Sequence, residues 1–299
     1  MKIVFFGTPA FACPSLKKLA EKEEVALVVT RPDSYKGRGR KKVESDVAKT
    51  AKDLGLKVLK TDQLRDKDIQ DQLAKEEADL YVVVAYGQIL PKEVLDQPKY
   101  FCLNIHGSIL PKYRGAAPIE RAILEGEERA GISLMKMEEG LDSGPVFAQG
   151  SLEIGHKTGL ELREDLSHLG ADLLMDFLPT IDQAKAQDQD ESQVTYAEKI
   201  SKEDGHLNLG QDTSFQMLRK IQAMDGYKGA YFTYGGENYK VFLAREVKKN
   251  LQENLLEEGG QVFLRTKDGA IQVDLLQAPG KKRMKTGDYL RGNSIVKNI

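Results

Sequence analysis

An amide and an imidazole lie two residues apart in the first half of this chain of 299 residues. Residues 104–111 read NIHGSILP, and in an extended segment Asn104 and His106 project from the same face. An amide N–H can stabilise a developing oxyanion, and an imidazole can accept or relay a proton near neutral pH. The pair is therefore suited to acyl transfer, although its spacing alone is equally compatible with a structural role.

A carboxylate that can complete this pair follows in a glycine-flanked loop. Residues 140–145 read GLDSGP and come after an apolar run at 132–137, which predicts a strand. If that strand is parallel to its neighbours, the loop reaches the same sheet edge as His106. Asp142 would then orient the imidazole and favour its charged form. The alternative is that Asp142 only shapes a turn.

Strand and helix patterns alternate through the first half of the chain and position these residues. Short apolar or β-branched runs typical of buried strands alternate with helical patterns, which predicts βαβ units and a mostly parallel, Rossmann-like α/β sheet with helices on both faces. In such sheets ligands bind at the carboxyl ends of the strands, where Asn104 and His106 would lie. The predicted strands are 2–6, 25–30, 57–60, 80–85, 102–106 and 132–137, and the predicted helices are 14–20, 44–54, 69–76, 117–125 and 158–177.

The first strand-to-helix turn argues against one common ligand of such sheets. Residues 7–11 read GTPAF and contain one glycine, whereas a dinucleotide site needs G-x-G-x-x-G. The sequence therefore gives no support for NAD binding.

The amino-acid composition of the chain changes after residue 183. Residues 184–205 are polar and predict an extended linker, whereas residues 206–299 contain short strands separated by glycine-rich turns. We therefore predict a catalytic domain at 1–183, a linker at 184–205, and a small, mostly antiparallel, OB-like β-barrel domain at 206–299.

The charge of the chain is unevenly distributed. Residues 206–299 hold 15 basic and 10 acidic side chains, against 29 and 36 in the preceding residues. A second basic segment, at 33–42, reads DSYKGRGRKK. Both features indicate a polyanionic partner whose phosphates a flexible basic segment can follow, or else ordinary solvated surface.

Composition excludes other classes of protein. No stretch approaches the ~18 apolar residues that a membrane-spanning helix needs, and the apolar run at the N-terminus is too short for a signal peptide. We therefore expect a cytoplasmic protein that does not associate with membranes. Cys13 and Cys102 lack metal-ligand spacing; we expect both to be small buried residues, and we expect no metal site.

The order and spacing of the two motifs resemble the formyltransferase superfamily that uses 10-formyltetrahydrofolate. RGAAPI at 114–119 extends the resemblance of the first motif, and GLDSG at 140–144 is similar to the family's second catalytic loop. Within the superfamily, four more segments resemble the branch that acts on methionyl-tRNA. These segments are GTPAF at 7–11, VAYGQILP at 84–91, VTYAEKI at 194–200 and QAPGKKRM at 277–284. The resemblance therefore covers nearly the whole chain.

This resemblance implies an activity and a set of site residues. The implied reaction moves a formyl group from 10-formyltetrahydrofolate, a cosubstrate, to the α-amine of initiator methionyl-tRNA. With one substrate site and one tRNA surface per chain, we expect a monomer. The implied catalytic residues are Asn104, His106 and Asp142. The implied folate contacts are Ser108, Ile109, Leu110, Pro111, Tyr86, Gly87, Ile89 and Leu90. The implied tRNA contacts are Arg38, Arg40, Lys41, Lys42, Lys281 and Lys282.

Two kinds of alternative remain at this point. The first keeps the chemistry and changes the acceptor to a small amine, such as an amino sugar or a purine precursor, or to water, as in a formyltetrahydrofolate hydrolase. These acceptors leave the basic segment and the C-terminal domain unexplained. The second is a catalytically inactive module that binds tRNA or folate, and the presence of all three polar residues weighs against it.

Overall fold

The computed structural model describes residues 1–36 and 41–296. These residues form two compact units. The first unit comprises residues 1–118, 130–153 and 163–197, and the second comprises residues 119–129, 154–162 and the chain from 198 onward.

Strands and helices alternate along the chain up to residue 197. The strands are β1 (Lys2–Gly7), β2 (Glu24–Thr30), β3 (Ser34–Lys36), β4 (Lys41–Val43), β5 (Val58–Lys60), β6 (Leu80–Val84), β7 (Cys102–His106), β8 (Arg114–Gly115), β9 (Arg129–Lys136), β10 (Val146–Glu153) and β11 (Tyr196–Ala197). The helices are α1 (Cys13–Lys22), α2 (Asp46–Asp53), α3 (Lys67–Ala74), α4 (Lys92–Leu95), α5 (Pro118–Leu124) and α6 (Gly159–Phe177).

A seven-stranded sheet forms the centre of the first unit, with the strand order β10-β9-β7-β6-β1-β2-β5. The pairs β1–β2, β1–β6, β6–β7 and β2–β5 are parallel, and β7–β9 is antiparallel. The predicted mostly parallel α/β sheet is therefore confirmed. Because β1, β6 and β7 run in the same direction, the loops that follow them emerge at one edge.

Apolar side chains on both faces of β1 explain why this sheet is central. Val4 and Phe6 pack in a buried cluster with Leu73 of α3 and Val94 of α4. The residues between them, such as Phe5, project to the opposite face and are also fully buried. Helices therefore have to cover both faces, as the sequence pattern predicts.

The two cysteines differ in burial. Cys102, the first residue of β7, is buried as predicted. Cys13 is only partly buried, so the prediction is wrong for this residue. Its position explains the difference, because it is the first residue of α1 and lies outside the sheet.

The second unit is built around an antiparallel sheet. Its strands are β12 (Ala230–Tyr234), β13 (Glu237–Val247), β14 (Leu255–Glu258), β15 (Gln261–Arg265), β16 (Ala270–Gln277) and β17 (Met284–Lys285), and its own helices are α7 (Ser214–Met224) and α8 (Thr286–Leu290). The strand order is β12-β13-β16-β15-β14, with β17 beside β16. The register of β13 shifts between Val241 and Ala244, and such bulges curl a sheet. The small antiparallel C-terminal structure predicted from the sequence is confirmed as this curled sheet.

Helix α6 has 19 residues and carries charged side chains such as Arg163 and Asp165. Within residues 1–36 and 41–296, none of the helices is long and apolar enough to cross a membrane.

Candidate active site

His106 is the last residue of β7, and its two ring nitrogens face different groups. Nε2 lies 3.0 Å from the backbone oxygen of Tyr113. Because a carbonyl oxygen can only accept, Nε2 must carry the hydrogen of this bond. Nδ1 is therefore the ring nitrogen that remains for proton exchange. The ring is almost fully buried, so few other groups compete for it.

Asp142 faces this second nitrogen. Its Oδ2 lies 3.7 Å from His106 Nδ1, which is an ion-pair distance rather than a hydrogen bond. The same oxygen accepts a hydrogen bond of 2.9 Å from the backbone N–H of Gly115. The carboxylate is thus fixed by a backbone donor on one side and lies next to an imidazole on the other.

Asp142 reaches His106 by a route that differs from the expected one. The expectation of a parallel strand before the loop is wrong, because β9 is antiparallel to β7 and Met137 N bonds to Cys102 O at the amino end of β7. The loop at 137–145 therefore runs back along β7 to bring Asp142 to His106. An apolar run such as 132–137 predicts a buried strand but carries no information about its direction.

Asn104 completes the set that the sequence predicts as catalytic. It lies two residues before His106 in β7, so the two side chains share one face of the sheet. Its neighbours in the sheet are Val83 of β6 and Met135 of β9. The side chain is partly exposed, whereas those neighbours are buried. An amide that water can reach at this position is accessible to a substrate as well.

The segment after His106 is fixed by polar side chains of the neighbouring strands. Ser133 Oγ donates to Ser108 O at 2.7 Å and accepts from Leu110 N at 3.0 Å. Gln149 Nε2 donates to Leu110 O at 2.9 Å. Ser133 is fully buried within the apolar strand β9, and a lone serine in such a strand is the signal that could have revealed this support.

The residues predicted to contact folate divide into buried and accessible ones. Ser108, Leu110, Leu90 and Tyr86 are all buried, and the Ser108 hydroxyl donates to Lys112 O at 2.6 Å. Ile89 and Ile109 are 83% and 37% exposed. The remaining predicted contacts are Gly87, which has a φ of 83°, and Pro111, which follows a cis peptide bond.

Tyr86 illustrates how the loop after β6 is anchored. Its hydroxyl donates to Thr61 O at 2.7 Å, and burial raises the pKa of this phenol to about 12. Its backbone oxygen accepts a 2.9 Å hydrogen bond from the Thr8 hydroxyl, in the loop after β1. The two loops are thus tied together at the sheet edge that also bears His106.

The basic residues predicted to contact tRNA lie in two places. Arg38 and Arg40 fall outside the residues that the structure describes. Lys41 and Lys42 belong to β4, and Lys42 Nζ lies 3.5 Å from Asp33. Lys281 and Lys282 are exposed in the turn between β16 and β17. In the same turn, the guanidinium of Arg283 lies 4.0 Å from the ring centre of Phe242.

Sequence reasoning missed part of the support for the site. The polar residues 189–197 pack against the segment at 113–116 and against the loop of Asp142. Gln189, Glu191 and Thr195 make the side-chain contacts, and all three lie in the stretch predicted as linker. The tripeptide Val194-Thr195-Tyr196 has a β-rich composition, which is the one signal for this packing in the sequence.

Comparison with known proteins decides the family. Residues 1–178 match the family described as formyl transferase, and residues 199–294 match the formyl transferase C-terminal domain. The methionyl-tRNA formyltransferase of Clostridium acetobutylicum is 40% identical over 100% of this chain and 99% of its own length. That of Methylobacillus flagellatus is 37% identical over 99% of this chain and 97% of its own. The chain belongs to the methionyl-tRNA formyltransferase family.

Solved structures share the formyltransferase fold. The methionyl-tRNA formyltransferase from Clostridium thermocellum has a TM-score of 0.56 at 16% identity, over 83% of this chain and 94% of that one. The sugar 3N-formyl transferase WlaRD has a TM-score of 0.69 at 20% identity, over 94% of this chain and 99% of that one. HypX from Aquifex aeolicus, in complex with tetrahydrofolic acid, has a TM-score of 0.65 at 20% identity and covers 97% of this chain and 47% of that one. At these low identities, the structural similarity shows only that this chain has the formyltransferase fold.

Proposed function

We propose that this chain transfers the formyl group of 10-formyltetrahydrofolate to the α-amine of initiator methionyl-tRNA, giving the N-formylmethionyl-tRNA used in translation initiation. One observation carries the proposal: His106 Nδ1 and Asp142 Oδ2 lie 3.7 Å apart, on the sheet edge that also bears Asn104. Imidazole, carboxylate and amide are groups that can assist acyl transfer to an amine, by relaying a proton and by stabilising the oxyanion. The acceptor is inferred from the relatives that match the chain along its whole length.

The proposed reaction is a single acyl transfer. The amine attacks the formyl carbon, a new C–N bond forms, and the bond from that carbon to the folate nitrogen breaks. The amine gives up a proton and the folate nitrogen gains one. Free α-amines titrate near ~8, so a reactive neutral amine is available close to neutral pH. The reaction therefore needs no covalent enzyme nucleophile.

The protein contributes hydrogen-bond donors and a proton relay. The Asn104 amide donates to the oxyanion that develops on the formyl oxygen, and a preorganised donor of this kind contributes about 3 kcal/mol. His106 exchanges its proton at Nδ1, because Nε2 is bonded to Tyr113 O. Asp142 attracts the proton-bearing ring and so stabilises the charge that arises during transfer. A water molecule can relay the proton between these groups and the substrates.

We assign the folate to the loops that follow β6 and β7. Ile89 and Ile109 are exposed large apolar side chains of these loops and would pack against its ring. The buried residues of the set would stabilise the conformation of these loops rather than contact the folate with their side chains. They are Tyr86, Leu90, Ser108 and Leu110. Gly87 and Pro111 would allow close approach of the backbone.

We assign the tRNA to the basic segments. Arg38, Arg40, Lys41 and Lys42 would follow the phosphates of the acceptor end, and Lys281 and Lys282 would bind the backbone elsewhere on the tRNA. This assignment accompanies the proposed division into a catalytic domain at 1–183, a linker at 184–205 and a tRNA-binding domain at 206–299. We also propose that the protein is a cytoplasmic monomer.

A comparison of acceptors tests the proposal. Purified protein and 10-formyltetrahydrofolate are incubated with methionyl-tRNA, with an amino sugar nucleotide, or with neither. Formylation of methionyl-tRNA at least about 100-fold faster than of the sugar, or than release of formate, is the expected result. Preferential transfer to the sugar or to water would retain the family chemistry and refute the proposed acceptor. No turnover with any acceptor would favour a binding module.

A further inference from the structure

Residues 189–197, which we call the strap, hold the loop that carries Asp142. At the start of the strap, Gln189 Nε2 donates to Asp142 O and to Gly144 O, both at 2.8 Å. The side chain thus ties together both ends of the turn from which the carboxylate projects. Asp142 itself has a φ of 47°, in the left-handed region, which Asp and Asn adopt more often than other non-glycine residues.

The third polar contact of Gln189 fixes the orientation of its amide. Oε1 accepts a 3.0 Å hydrogen bond from Arg114 Nε, and the guanidinium of Arg114 also binds Glu191 at 2.6 Å. This guanidinium lowers the pKa of the Glu191 carboxyl. Because arginine only donates and the two carbonyls only accept, one orientation of the Gln189 amide satisfies all three bonds. A carboxylate in its place would face two carbonyl oxygens.

The far end of the strap supports the other half of the site. Thr195 Oγ1 accepts from Tyr113 N at 2.9 Å, and Tyr113 O is the group that bonds to His106 Nε2. Ala197 pairs in register with Gly115, whose N–H donates to Asp142 Oδ2. The strap therefore contacts both the segment that orients the imidazole and the loop that presents the carboxylate.

We propose that Gln189 is a positioning residue for formyl transfer, which acts through Asp142 and touches neither substrate. Its two bonds to the Asp142 turn set the position of Oδ2 relative to His106 Nδ1. A displacement of about 1 Å at a catalytic group can cost on the order of 100-fold in rate. This inference rests on the proposed function, because its kinetic test measures the proposed formyl transfer. The geometry of the strap does not depend on which acceptor is used.

A double-mutant cycle tests this role. Gln189→Glu keeps the shape of the side chain and turns both donor bonds into repulsions, and we expect kcat to fall about tenfold or more with both KM values within about twofold. In an Asp142→Asn background we expect Gln189→Glu to alter kcat less than about twofold. The carboxylate through which Gln189 acts is already absent from that background. Gln187→Glu is the matched control, since its exposed side chain lies just before the strap, and it should behave as wild type.

Two kinetic outcomes would overturn the inference. Wild-type kcat in Gln189→Glu would show that the bonds to the turn do not position Asp142. An equal loss of kcat in the wild-type and Asp142→Asn backgrounds would show that Gln189 acts by another route, such as general destabilisation.

A second measurement does not depend on activity. Backbone hydrogen exchange should speed up at least about tenfold in the peptides that contain Gly115 and Asp142 when Gln189 is replaced by Glu, and it should not change in Gln187→Glu. Unchanged exchange in Gln189→Glu would refute the positioning role even if the protein proved to formylate another acceptor. If methionyl-tRNA fails as acceptor while exchange responds as expected, the proposed function fails and the role of Gln189 stands.

Discussion

At the scale of single residues, the proposed chemistry depends on how the two nitrogens of His106 are divided. Nε2 is committed to the backbone oxygen of Tyr113, which leaves Nδ1 beside Asp142 at 3.7 Å. This division fixes the tautomer of the neutral ring, with its hydrogen on Nε2. It follows that a proton taken up by the ring enters at Nδ1, on the side of the carboxylate.

The charge of Asp142 is the property that can be tested most cleanly at this scale. Asp142→Asn keeps an oxygen that can accept from Gly115 N and removes the negative charge next to Nδ1. We expect kcat to fall at least about tenfold, with KM values within about twofold, in steady-state formylation kinetics. Asp53→Asn, at the exposed C-terminal end of α2, is the matched control and should leave kcat unchanged. A fall in thermal stability without a fall in kcat would contradict a chemical role.

At the scale of elements, the short parallel pair β8–β11 connects the chain after α6 to the active site. Gly115 allows this pairing, because a Cβ at its position would lie 2.8 Å from Ala197 O and its φ is 123°. The same residue supplies the N–H that holds Asp142. Two residues of strand thus couple a distant segment of the chain to the carboxylate of Asp142.

Gly115→Ala should therefore disturb both functions of this element. We expect the β8–β11 pairing to shift and kcat to fall at least about tenfold, because the backbone donor to Asp142 moves. Gly292→Ala serves as the control, since a Cβ at that position meets open space. Kinetics and a thermal melt on both variants provide the measurement. Wild-type kinetics in Gly115→Ala would show that the pair is dispensable for catalysis.

A cluster of ion pairs lies where the β3–β4 hairpin joins the rest of the chain, and the stability of this cluster depends on pH. Lys60 Nζ lies 2.6 Å from both Asp33 and Glu44. The hydrogen bond from Lys52 and the one from Lys60 lower the pKa of Glu44 to about 2. A lowered carboxyl pKa stabilises the folded state above the ordinary value of 4.5, and this contribution is lost as pH falls toward 2.

Glu44→Gln should remove this acid sensitivity. Between about pH 5 and 3, the urea midpoint of the wild type should fall more than that of Glu44→Gln. Glu21→Gln, on the exposed surface of α1, is the control and should follow the wild type. If the urea midpoints of the wild type and of Glu44→Gln fell equally between about pH 5 and 3, solvent would screen the ion pairs of Glu44 fully.

The elements also show what could and could not be predicted from the sequence. The strand at 102–106 was predictable because buried strands leave a local pattern, and the three residues that we propose as catalytic were recognisable as candidates by their types and spacing. The antiparallel direction of β9 was not, since an apolar run has no polarity. Edge strand β10 was missed because it is only half-buried and includes Gly150. The strap was missed because its contacts are polar, and a polar composition is typical of a linker.

At the scale of the whole molecule, the charge distribution separates the chain into parts with different expected partners. The residues before 206 carry 29 basic and 36 acidic side chains, whereas those from 206 onward carry 15 and 10. A small formyl acceptor has no use for an appended basic segment, whereas a polyanion such as the proposed tRNA would bind residues 206–299 with a salt-dependent affinity.

Removing exposed positive charge from residues 206–299 should weaken the use of tRNA specifically. In a Lys281→Ala, Lys282→Ala variant we expect KM for methionyl-tRNA to rise about tenfold, with KM for the folate unchanged, and the salt slope of tRNA affinity to fall by about one to two. Lys17→Ala, at an exposed position of α1, is the control. An unchanged salt slope in the double variant would place tRNA binding on other residues.

Formyl transfer to methionyl-tRNA at the sheet edge bearing Asn104, His106 and Asp142 is the proposed activity on which the other kinetic predictions depend. Its most direct test is single-turnover formylation of charged initiator methionyl-tRNA, with saturating enzyme and 10-formyltetrahydrofolate, comparing wild type with His106→Ala. We predict efficient transfer by the wild type and a rate at least about 100-fold lower in the variant, with tRNA affinity retained. A variant rate within about tenfold of wild type, or a wild type that does not formylate this tRNA, would contradict the claim.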